Sequence, residues 1–329
     1  MISSLYLEKE VLNDERSLLI KKRFDKIEAI ECEHYGEIFN RKAQNFRLQK
    51  QDPALILARK HKGFVLPAPA SYGIGGDVNY YFSHMMNCIY DCRYCFLQGM
   101  YRSANYVVFV NYEDFAKEIR SIANLHENET VYFFSGYDCD SLALEPITGF
   151  IDFILPVFES LPKACLELRT KSTQVRSLLD RPVLNNVVVA FSLSPDNVVS
   201  ALEAKTPSLL KRIEALQRLQ NKGWTIGLRF DPLIYFDDYQ QAYAELFTQV
   251  FAALDVTKIH SVSLGGFRMP EKFFKNMVKL YPDEKLFAAR LEDNEGMVSY
   301  EKNIETDMLA YCENELLKYI RKEIYFPCF

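Results

Sequence analysis

Short apolar runs alternate with amphipathic stretches along the chain from about residue 77 onward. The runs are rich in β-branched and aromatic residues, and each is followed by a segment whose apolar positions have helical spacing. Six such runs predict strands: VNYYF (78–82), TVYFF (130–134), ACLEL (164–168), NVVVAFSL (186–193), TIGLRF (225–230) and HSVSL (260–264).

Helical patterns follow these strands, most clearly at 112–125 and 206–223. The second predicted helix has Thr206 as its cap, a proline in its first turn and Gly223 as its stop. Strands that alternate with helices predict an α/β fold with a parallel sheet, right-handed crossovers and both faces covered. An open doubly wound sheet and a half-closed or closed barrel both fit. In either, the loops after the strand ends carry the chemistry.

The two ends of the chain differ from this centre. Residues 1–75 are strongly charged and close with the Pro/Gly-rich stretch GFVLPAPASYGIGG, whereas residues 283–329 predict a helical tail. We therefore predict an N-terminal charged extension (1–75), a core domain (76–282) and a C-terminal helical tail (283–329).

A basic segment at 41–62 lies within the extension and has a net charge of +6, from seven cations and one aspartate. It predicts a DNA-contact region, because cations that neutralise phosphates supply most of the affinity for nucleic acid. A solvated helix face is the alternative. The seven cations are Arg41, Lys42, Arg47, Lys50, Arg59, Lys60 and Lys62.

The composition indicates a folded protein of 329 residues, with 49% hydrophobic and 25% charged residues. Its net charge of −5 disfavours non-specific coating of nucleic acid but leaves room for a local basic face. The sequence shows neither a secretory signal nor an apolar run that could span a membrane. We therefore expect a cytoplasmic protein, whose eight cysteines are thiols or metal ligands rather than disulfides.

Three of these cysteines form a compact motif in NCIYDCRYCFLQG (87–99), directly after the first predicted strand. Cys88, Cys92 and Cys95 have the spacing C-x3-C-x2-C, and three thiolates on one short loop can hold an iron–sulfur cluster. A four-iron cluster held by three cysteines leaves one iron open to a small molecule. Zinc is the alternative, with His84 as a fourth ligand, although no second cysteine pair lies nearby.

The motif, with Tyr94 before its last cysteine, resembles the signature of the radical S-adenosylmethionine (SAM) superfamily. The resemblance implies a partial (β/α)6 TIM-like barrel and a [4Fe–4S] cluster whose open iron binds SAM. It also implies reductive cleavage of SAM to a 5′-deoxyadenosyl radical. The electron would come from a cellular one-electron reductant such as flavodoxin or ferredoxin.

Two segments, CRYCFLQG (92–99) and SGYDCDSLALEPITG (135–149), narrow the resemblance to the spore photoproduct lyase family. That family implies DNA repair by a lyase. The radical removes the C6 hydrogen of a thymine dimer, the methylene bridge splits, and a cysteine returns a hydrogen atom. Cys139 occupies the place of that cysteine, and a buried small apolar residue is the alternative. Softer similarities extend the match over roughly 64–300: LRTKS (168–172), FSLSP (191–195), EAKTPSL (203–209) and LRFDPLI (228–234).

The resemblance also assigns further residues and shows one departure. The family typically has tyrosine on both sides of the last cluster cysteine, as a radical relay, but this chain has Tyr94 and Phe96, so Tyr137 is our candidate for the missing member. Lys171 could instead be a solvated lysine, the serines could be ordinary turn residues, and Arg229 could form a simple ion pair with Asp231. The implied SAM contacts are Ser135, Gly136, Ser141, Lys171, Ser192 and Ser194, and the implied substrate-side residues are Tyr300 and Arg229.

Three functional hypotheses follow. The first is a DNA lesion lyase of the spore photoproduct type. The second is a radical SAM enzyme of the same branch with another substrate, which Phe96 and the acidic net charge favour. The third is a non-catalytic, metal-stabilised protein that binds nucleic acid.

Overall fold

The computed structural model describes residues 2–69 and 72–328. Met1, Ala70 and Ser71 of the predicted extension and Phe329 of the predicted tail lie outside the described residues. The strands are β1 (Ser4–Glu8), β2 (Ala29–Cys32), β3 (Ala54–Ala58), β4 (Val65–Pro67), β5 (Val78–Phe82), β6 (Met85–Met86), β7 (Asp91–Cys92), β8 (Tyr106–Phe109), β9 (Val131–Ser135), β10 (Ala164–Thr170), β11 (Val187–Ser192), β12 (Glu203–Ala204), β13 (Thr225–Leu233), β14 (Ile259–Gly266), β15 (Arg268–Pro270), β16 (Leu291–Asn294), β17 (Met297–Tyr300) and β18 (Tyr325–Pro327).

The helices come mostly between the strands of the main sheet. They are α1 (Glu15–Lys22), α2 (Gly36–Phe39), α3 (Phe46–Gln51), α4 (Leu97–Met100), α5 (Tyr112–Leu125), α6 (Glu145–Thr148), α7 (Phe150–Glu159), α8 (Arg176–Leu179), α9 (Asp196–Leu202), α10 (Leu209–Lys222), α11 (Tyr239–Ala253), α12 (Glu271–Leu280) and α13 (Lys302–Leu316). Short 3₁₀ turns are at Lys9–Val11, Val256–Lys258, Lys285–Ala288 and Lys322–Ile324.

The main sheet has eight strands in the order β18-β14-β13-β11-β10-β9-β5-β4. All six predicted strands are in it, side by side in chain order, and neighbours among them pair in parallel. The sheet curls into a half-barrel. In the described residues β4 and β18 are its two edges and do not pair with each other, so the barrel is partial. The predicted α/β class with a partial (β/α)6 barrel is confirmed.

Burial explains why these runs form strands. Every residue of β11 is buried, as continuous apolar strands covered on both faces require. The predicted helix at 206–223 forms as α10, but its cap is Ser208, whose side chain accepts a hydrogen bond from the amide of Lys211. Thr206 instead donates its hydroxyl to the carbonyl of Glu203 at 2.8 Å. Gly223 ends the helix with a φ of +107°, as predicted.

The predicted N-terminal extension contains a sheet of its own rather than only charged loops. Its strands β1, β2 and β3 join β8 and β6 in the order β2-β1-β3-β8-β6, and all five residues of β3 are buried. Pairing of β3 with β8 and of β4 with β5 crosses the boundary predicted at residue 75. The division into three domains therefore stays a prediction about independent folding.

The C-terminal segment is helical only in its middle. It contains α13, but the antiparallel hairpin β16–β17 precedes this helix and β18 follows it. The hairpin turn needs positive φ at Glu295 (+53°) and Gly296 (+85°). Pairing of β14 with β18 crosses the boundary predicted at residue 282, so the tail completes the main sheet. None of the helices described is both long and apolar enough to cross a membrane.

His84 is buried between the two sheets, after β5, and its ring stacks on Phe150 with centroids 3.8 Å apart and planes at 2°. Its Nδ1 atom has no hydrogen-bond partner among the described residues. Burial lowers the pKa of His84 to about 3. The folded protein therefore holds a neutral imidazole over a range in which the unfolded chain binds a proton.

This burial makes the stability depend on pH. The pKa of His84 in the folded protein lies below its value in the unfolded chain. The free energy of unfolding is therefore highest above about pH 6.5 with respect to this group, and it decreases as the pH falls toward the folded pKa. Between pH 7 and pH 5 the free energy of unfolding should fall by about 2 kcal/mol more in the native chain than in His84→Phe. Urea unfolding at the two pH values measures this difference. Parallel curves for both proteins would contradict the assignment.

Candidate active site

A cavity of about 850 Å³ lies at the carboxyl-terminal ends of the barrel strands. Ser135, Thr170, Ser192 and Gly266, the last residues of β9, β10, β11 and β14, all line it. Parallel α/β folds place their ligand sites at this end, because the loops that can vary in sequence gather there. The cavity is therefore the candidate active site, as the strand pattern predicted.

The three cysteines of the motif line this cavity from the segment between β6 and α4, in which Cys92 ends the short strand β7. Asn87 begins the loop at a φ of +69°, and its amide donates to the carbonyls of Ser103 and Asn105 at 2.6 and 2.8 Å. Lys50 donates from Nζ to the carbonyls of Cys88 and Tyr90, both at 2.7 Å. These four hydrogen bonds hold the backbone of the cysteine segment in place. The role of Lys50 was missed, because its charge placed it with the surface cations of the basic segment.

Burial controls the protonation of the three thiols. It raises the pKa of Cys88 to about 12, against the opposing charge of Lys50. It also raises the pKa of Cys92 and Cys95, and there the ammonium of Lys171 acts in the opposite direction. A metal centre must displace these protons, since the thiolate is the ligand form. The two lysines are placed to favour that displacement.

The structure bears on the fourth ligand of the zinc hypothesis. In the described parts of the chain no group of three or more His, Cys, Asp and Glu side chains is arranged to hold a single metal ion. His84, the fourth ligand considered, is stacked on Phe150 and does not line the cavity. The zinc hypothesis therefore lacks the fourth ligand that it named.

A buried polar network supports the second cysteine. The strand β7, which contains Cys92, pairs with β12, in which Glu203 lies opposite Cys92. The Glu203 carboxylate accepts hydrogen bonds from Tyr94, Ser194 and Arg212. Burial alone would raise the pKa of Glu203, but Lys171 and Arg212 outweigh it and hold that pKa below its usual value. The network thus keeps a charged carboxylate behind the loop.

Four of the predicted SAM contacts line the cavity, namely Ser135, Gly136, Lys171 and Ser192. The hydroxyl of Ser135 is buried without a hydrogen-bond partner in the described structure, so a ligand in the cavity could engage it. Gly136 has a φ of +85°, and a Cβ there would meet Ser141 Oγ at 2.6 Å, so only glycine fits this turn. Their roles toward SAM stay predictions.

Ser141 and Ser194 differ from the expectation, because neither lines the cavity. The Ser141 hydroxyl donates to the carbonyl of Ser135 at 3.0 Å and so closes the turn. The Ser194 hydroxyl donates to Glu203 at 3.0 Å, within the buried network. Both hydroxyls face inward to complete backbone and side-chain hydrogen bonds, which their strand-end positions alone did not reveal.

Cys139 lines the cavity and is 7% exposed, on the turn after β9. Burial, reinforced by Asp138, holds the pKa of its thiol well above the usual value, so the S–H proton is retained.

Tyr94, Phe96 and Tyr137 line the same cavity. The ring centroids of Phe96 and Tyr137 lie 5.6 Å apart, and Tyr137 is 40% exposed.

The two predicted substrate-side residues lie elsewhere. Tyr300 is fully buried and its hydroxyl accepts a hydrogen bond from the amide of Tyr235 at 2.9 Å. Arg229 forms a buried ion pair with Glu167 at 2.7 Å, one layer below the cavity, and not with Asp231. Both side chains are buried and neither lines the cavity, so their placement does not support the predicted contact with substrate.

Residues outside the predicted site also line the cavity. They include the charged Arg169, Asp231 and Arg268 and the apolar Phe273 and Met297. Arg169 and Asp231 were visible in the predicted strand-end segments LRTKS and LRFDPLI. Nothing in the sequence singled out Arg268, because it lies beyond β14, which contains the last of the six predicted strands.

The cations of the basic segment divide into two groups. Lys50 is buried, Arg59 pairs with Asp114 at 2.9 Å, and Lys60 lies over the ring of Phe109. Arg41, Lys42, Arg47 and Lys62 are exposed. The four exposed cations are the best placed to contact a phosphate backbone, and the Arg59 side chain also stays 43% exposed.

The family model for spore photoproduct lyase matches residues 76–315, which is most of the chain. The chain belongs to the spore photoproduct lyase family. The predicted resemblance, which rested on CRYCFLQG and SGYDCD, is therefore confirmed.

Two curated relatives support the assignment. The spore photoproduct lyase of Bacillus subtilis (strain 168) is 26% identical over 204 residues, which cover 60% of this chain and 59% of the relative. That of Geobacillus sp. (strain Y412MC61) is 22% identical over 214 residues, covering 65% and 62%. The chain thus aligns with about three fifths of the length of each spore photoproduct lyase.

Solved structures of spore photoproduct lyase show the same fold over the whole chain. A double mutant with bound AdoMet and dinucleoside spore photoproduct superposes with a TM-score of 0.85 at 17% identity, covering 100% of this chain and 98% of that one. A complex with the dinucleoside spore photoproduct gives a TM-score of 0.84 at 16% identity over the same shares. The N-terminal sheet and the C-terminal segment are thus part of the family fold.

Proposed function

We propose that this chain is a radical SAM lyase that reverses a thymine dimer of the spore photoproduct type in DNA. The observation that carries the proposal is the shared cavity, which the cysteine motif, the orphaned Ser135 hydroxyl and the Cys139 thiol all line. Membership of the spore photoproduct lyase family supports the choice of substrate.

The residues present fit the two cofactors. Cys88, Cys92 and Cys95 would hold a [4Fe–4S] cluster, and Ser135 with Lys171 would bind the polar groups of SAM. When bound, the cluster and SAM supply a carbon-centred radical that removes a hydrogen atom from the substrate. The chain itself provides the cavity, positions the substrate and limits where the unpaired electron can go.

Cys139 is the proposed hydrogen donor. Its S–H bond would break homolytically, the hydrogen atom would pass to the thymine radical, and the sulfur would keep the unpaired electron. A donor must hold its hydrogen until that moment, and burial keeps this thiol protonated. We propose Tyr94 and Tyr137 as the relay that restores the thiol, since both line the cavity and Phe96 cannot be oxidised readily. A tyrosine O–H hydrogen atom would pass to the sulfur, and an electron from the external reductant with a proton would restore the tyrosine.

The proposal also includes DNA as the partner, a one-electron reductant and the cytoplasm as the location. The exposed Arg41, Lys42, Arg47 and Lys62 would contact DNA phosphates. A reductant of the flavodoxin or ferredoxin type would supply the electron that starts each turnover. All eight cysteines are free thiols, which suits the reducing cytoplasm.

A second candidate is a radical SAM enzyme of this family with another substrate. The hairpin turn beside the cavity carries Asp293 and Glu295, both exposed, close to the lining residue Met297. Carboxylates at the mouth repel phosphates, which favours a substrate smaller than duplex DNA.

One assay on anaerobically reconstituted enzyme separates these candidates. With dithionite, SAM and a synthetic spore photoproduct dinucleotide, the proposal predicts 5′-deoxyadenosine and two restored thymines, measured by chromatography. SAM cleavage with intact dimer would support the second candidate. Absence of 5′-deoxyadenosine would contradict both.

A Cys139→Ala variant should separate radical formation from product quenching. SAM cleavage should stay within about threefold of native, while the yield of restored thymine falls about tenfold or more and altered products appear. Cys165→Ala is the matched control, because Cys165 is buried on β10 and does not line the cavity. An unchanged product pattern in Cys139→Ala would remove this role.

A further inference from the structure

Three charged side chains from different strands meet in one wall of the cavity. Arg169 comes from β10, Asp231 from β13 and Arg268 from β15, and all three line the cavity. Their side chains are 23%, 17% and 28% exposed. We call these three residues the charged wall. None of them contacts the cysteine motif in the hydrogen bonds of the described structure.

The charged wall has an alternating order. Arg169 donates from Nη2 to Asp231 Oδ2 at 3.2 Å, and Arg268 Nη1 lies 3.9 Å from Asp231 Oδ1. A single carboxylate is thus flanked by two guanidinium groups, one at each oxygen. From one side to the other the wall presents donors, acceptors and donors.

Neighbouring groups hold the wall in place. Arg169 donates to the hydroxyl of Tyr72 at 2.7 Å, while Arg268 donates to the carbonyl and the sulfur of Cys328, each at 3.0 Å. A guanidinium has five N–H donors and a carboxylate about four acceptor positions, so hydrogen-bonding capacity is left for a ligand. The wall is therefore a preorganised polar surface rather than a closed set of ion pairs.

The order of donors and acceptors along the charged wall favours a neutral ligand over an anion. A phosphate would gain from both arginines but would be repelled by Asp231 between them, and Glu305 adds negative charge near Arg268. A neutral group with the complementary order of acceptor, donor and acceptor meets no repulsion. The imide edge of thymine, with O4, N3–H and O2, has this order. The ring of Phe134 lies 4.7 Å from that of Tyr72 beside Arg169, and both line the cavity as an aromatic surface for a base.

We propose that the charged wall binds the imide edge of one thymine of the substrate, with Asp231 accepting from N3–H and the arginines donating to O2 and O4. This inference rests on the proposed function and names the part of the substrate that is recognised. It also sets a specificity. Cytosine presents an amino donor at position 4 and an acceptor at N3, so it would leave Asp231 facing an acceptor.

Substrate analogues test this without altering the protein. Calorimetry would measure binding of dinucleoside spore photoproduct to the reconstituted holoenzyme with SAM, and of the two analogues methylated at N3 of either thymine ring. Methylation of one of the two rings should weaken binding about 10- to 100-fold, because it removes a hydrogen bond to a charged acceptor. Methylation of the other ring should change it less than about threefold.

A variant then assigns the effect to the wall. In Asp231→Ala the unmethylated dimer should bind about 10-fold or more weakly, and the discrimination against the methylated analogue should fall below about threefold. Arg176→Gln is the control, since Arg176 is on the surface with its side chain 92% exposed, and it should keep full discrimination.

The outcomes are distinct from those for the proposed function. Equal binding of the native enzyme to all three dinucleosides would overturn the inference, as would no binding of any. Binding that ignores N3 methylation but requires a phosphate between the nucleosides would make the wall an anion site and would also overturn it. Failure of repair, with N3-selective binding intact, would contradict the proposed function alone.

Discussion

A Cys92→Ala variant should lose SAM cleavage by roughly a thousandfold or more, because two thiolates cannot hold a four-iron cluster in place. The backbone of Cys92 is held by the pairing of β7 with β12 and by the side-chain amide of Gln98, which donates to the carbonyl of Cys92. Iron content and the yield of 5′-deoxyadenosine after anaerobic reconstitution measure the loss.

The buried Cys165 again provides the control. Cys165→Ala should retain iron and SAM cleavage, because that thiol does not line the cavity. If Cys92→Ala bound as much iron as the native chain and cleaved SAM at a similar rate, the motif would not be the cluster site.

An Arg212→Met variant should lower the free energy of unfolding by about 3–5 kcal/mol, because it leaves the Glu203 carboxylate buried without its ion-pair partner. Arg212 is fully buried on α10, and it also donates to the carbonyls of Ser192 and Pro207, at 3.1 and 2.9 Å. The loss should also loosen the loop around Cys92, which lies opposite Glu203 in the pairing of β7 with β12. Urea unfolding and iron content measure the two effects.

A second substitution identifies the cause. Glu203→Gln combined with Arg212→Met should recover part of the lost stability, since it removes the uncompensated charge. Arg176→Met, at a pair with Asp180 that is exposed on both sides, should change stability by less than about 1 kcal/mol. A loss below that size in Arg212→Met would show that the buried pair is not needed for stability.

The barrel and the cysteine motif could be predicted from the sequence because both are local patterns. The run NVVVAFSL needs no partner to indicate a strand buried on both faces, and β11 forms within it. The C-x3-C-x2-C spacing brings three thiols to one loop whatever the rest of the fold does. Local patterns of this kind were therefore sufficient to indicate both the fold class and the family.

The N-terminal sheet could not be predicted in the same way. Its strand β3, ALILA, lies inside the basic segment 41–62, and its partners β1 and β8 are about 50 residues away on either side. Such pairings depend on distant sequence. The charge of the surroundings therefore outweighed a buried run of five residues.

Internal hydrogen bonds and depth along the strand explain where the placement departs from the predicted site. Ser141 and Ser194 lie near the ends of barrel strands, yet their hydroxyls complete internal hydrogen bonds, and Arg229 points to Glu167 below the cavity. Two residues further along its strand, Asp231 reaches the cavity. Residues two apart share a face of the strand, so the depth along β13 separates the cavity residue from the structural ion pair, and sequence position alone did not resolve that depth.

The claim that most depends on the three thiols is that one iron is left for SAM. Mössbauer spectroscopy of anaerobically reconstituted, ⁵⁷Fe-labelled protein tests it most directly. The account predicts four irons per chain as a [4Fe–4S] cluster, with one iron whose signal changes when SAM is added. A single zinc ion, or a cluster whose four irons all ignore SAM, would contradict it.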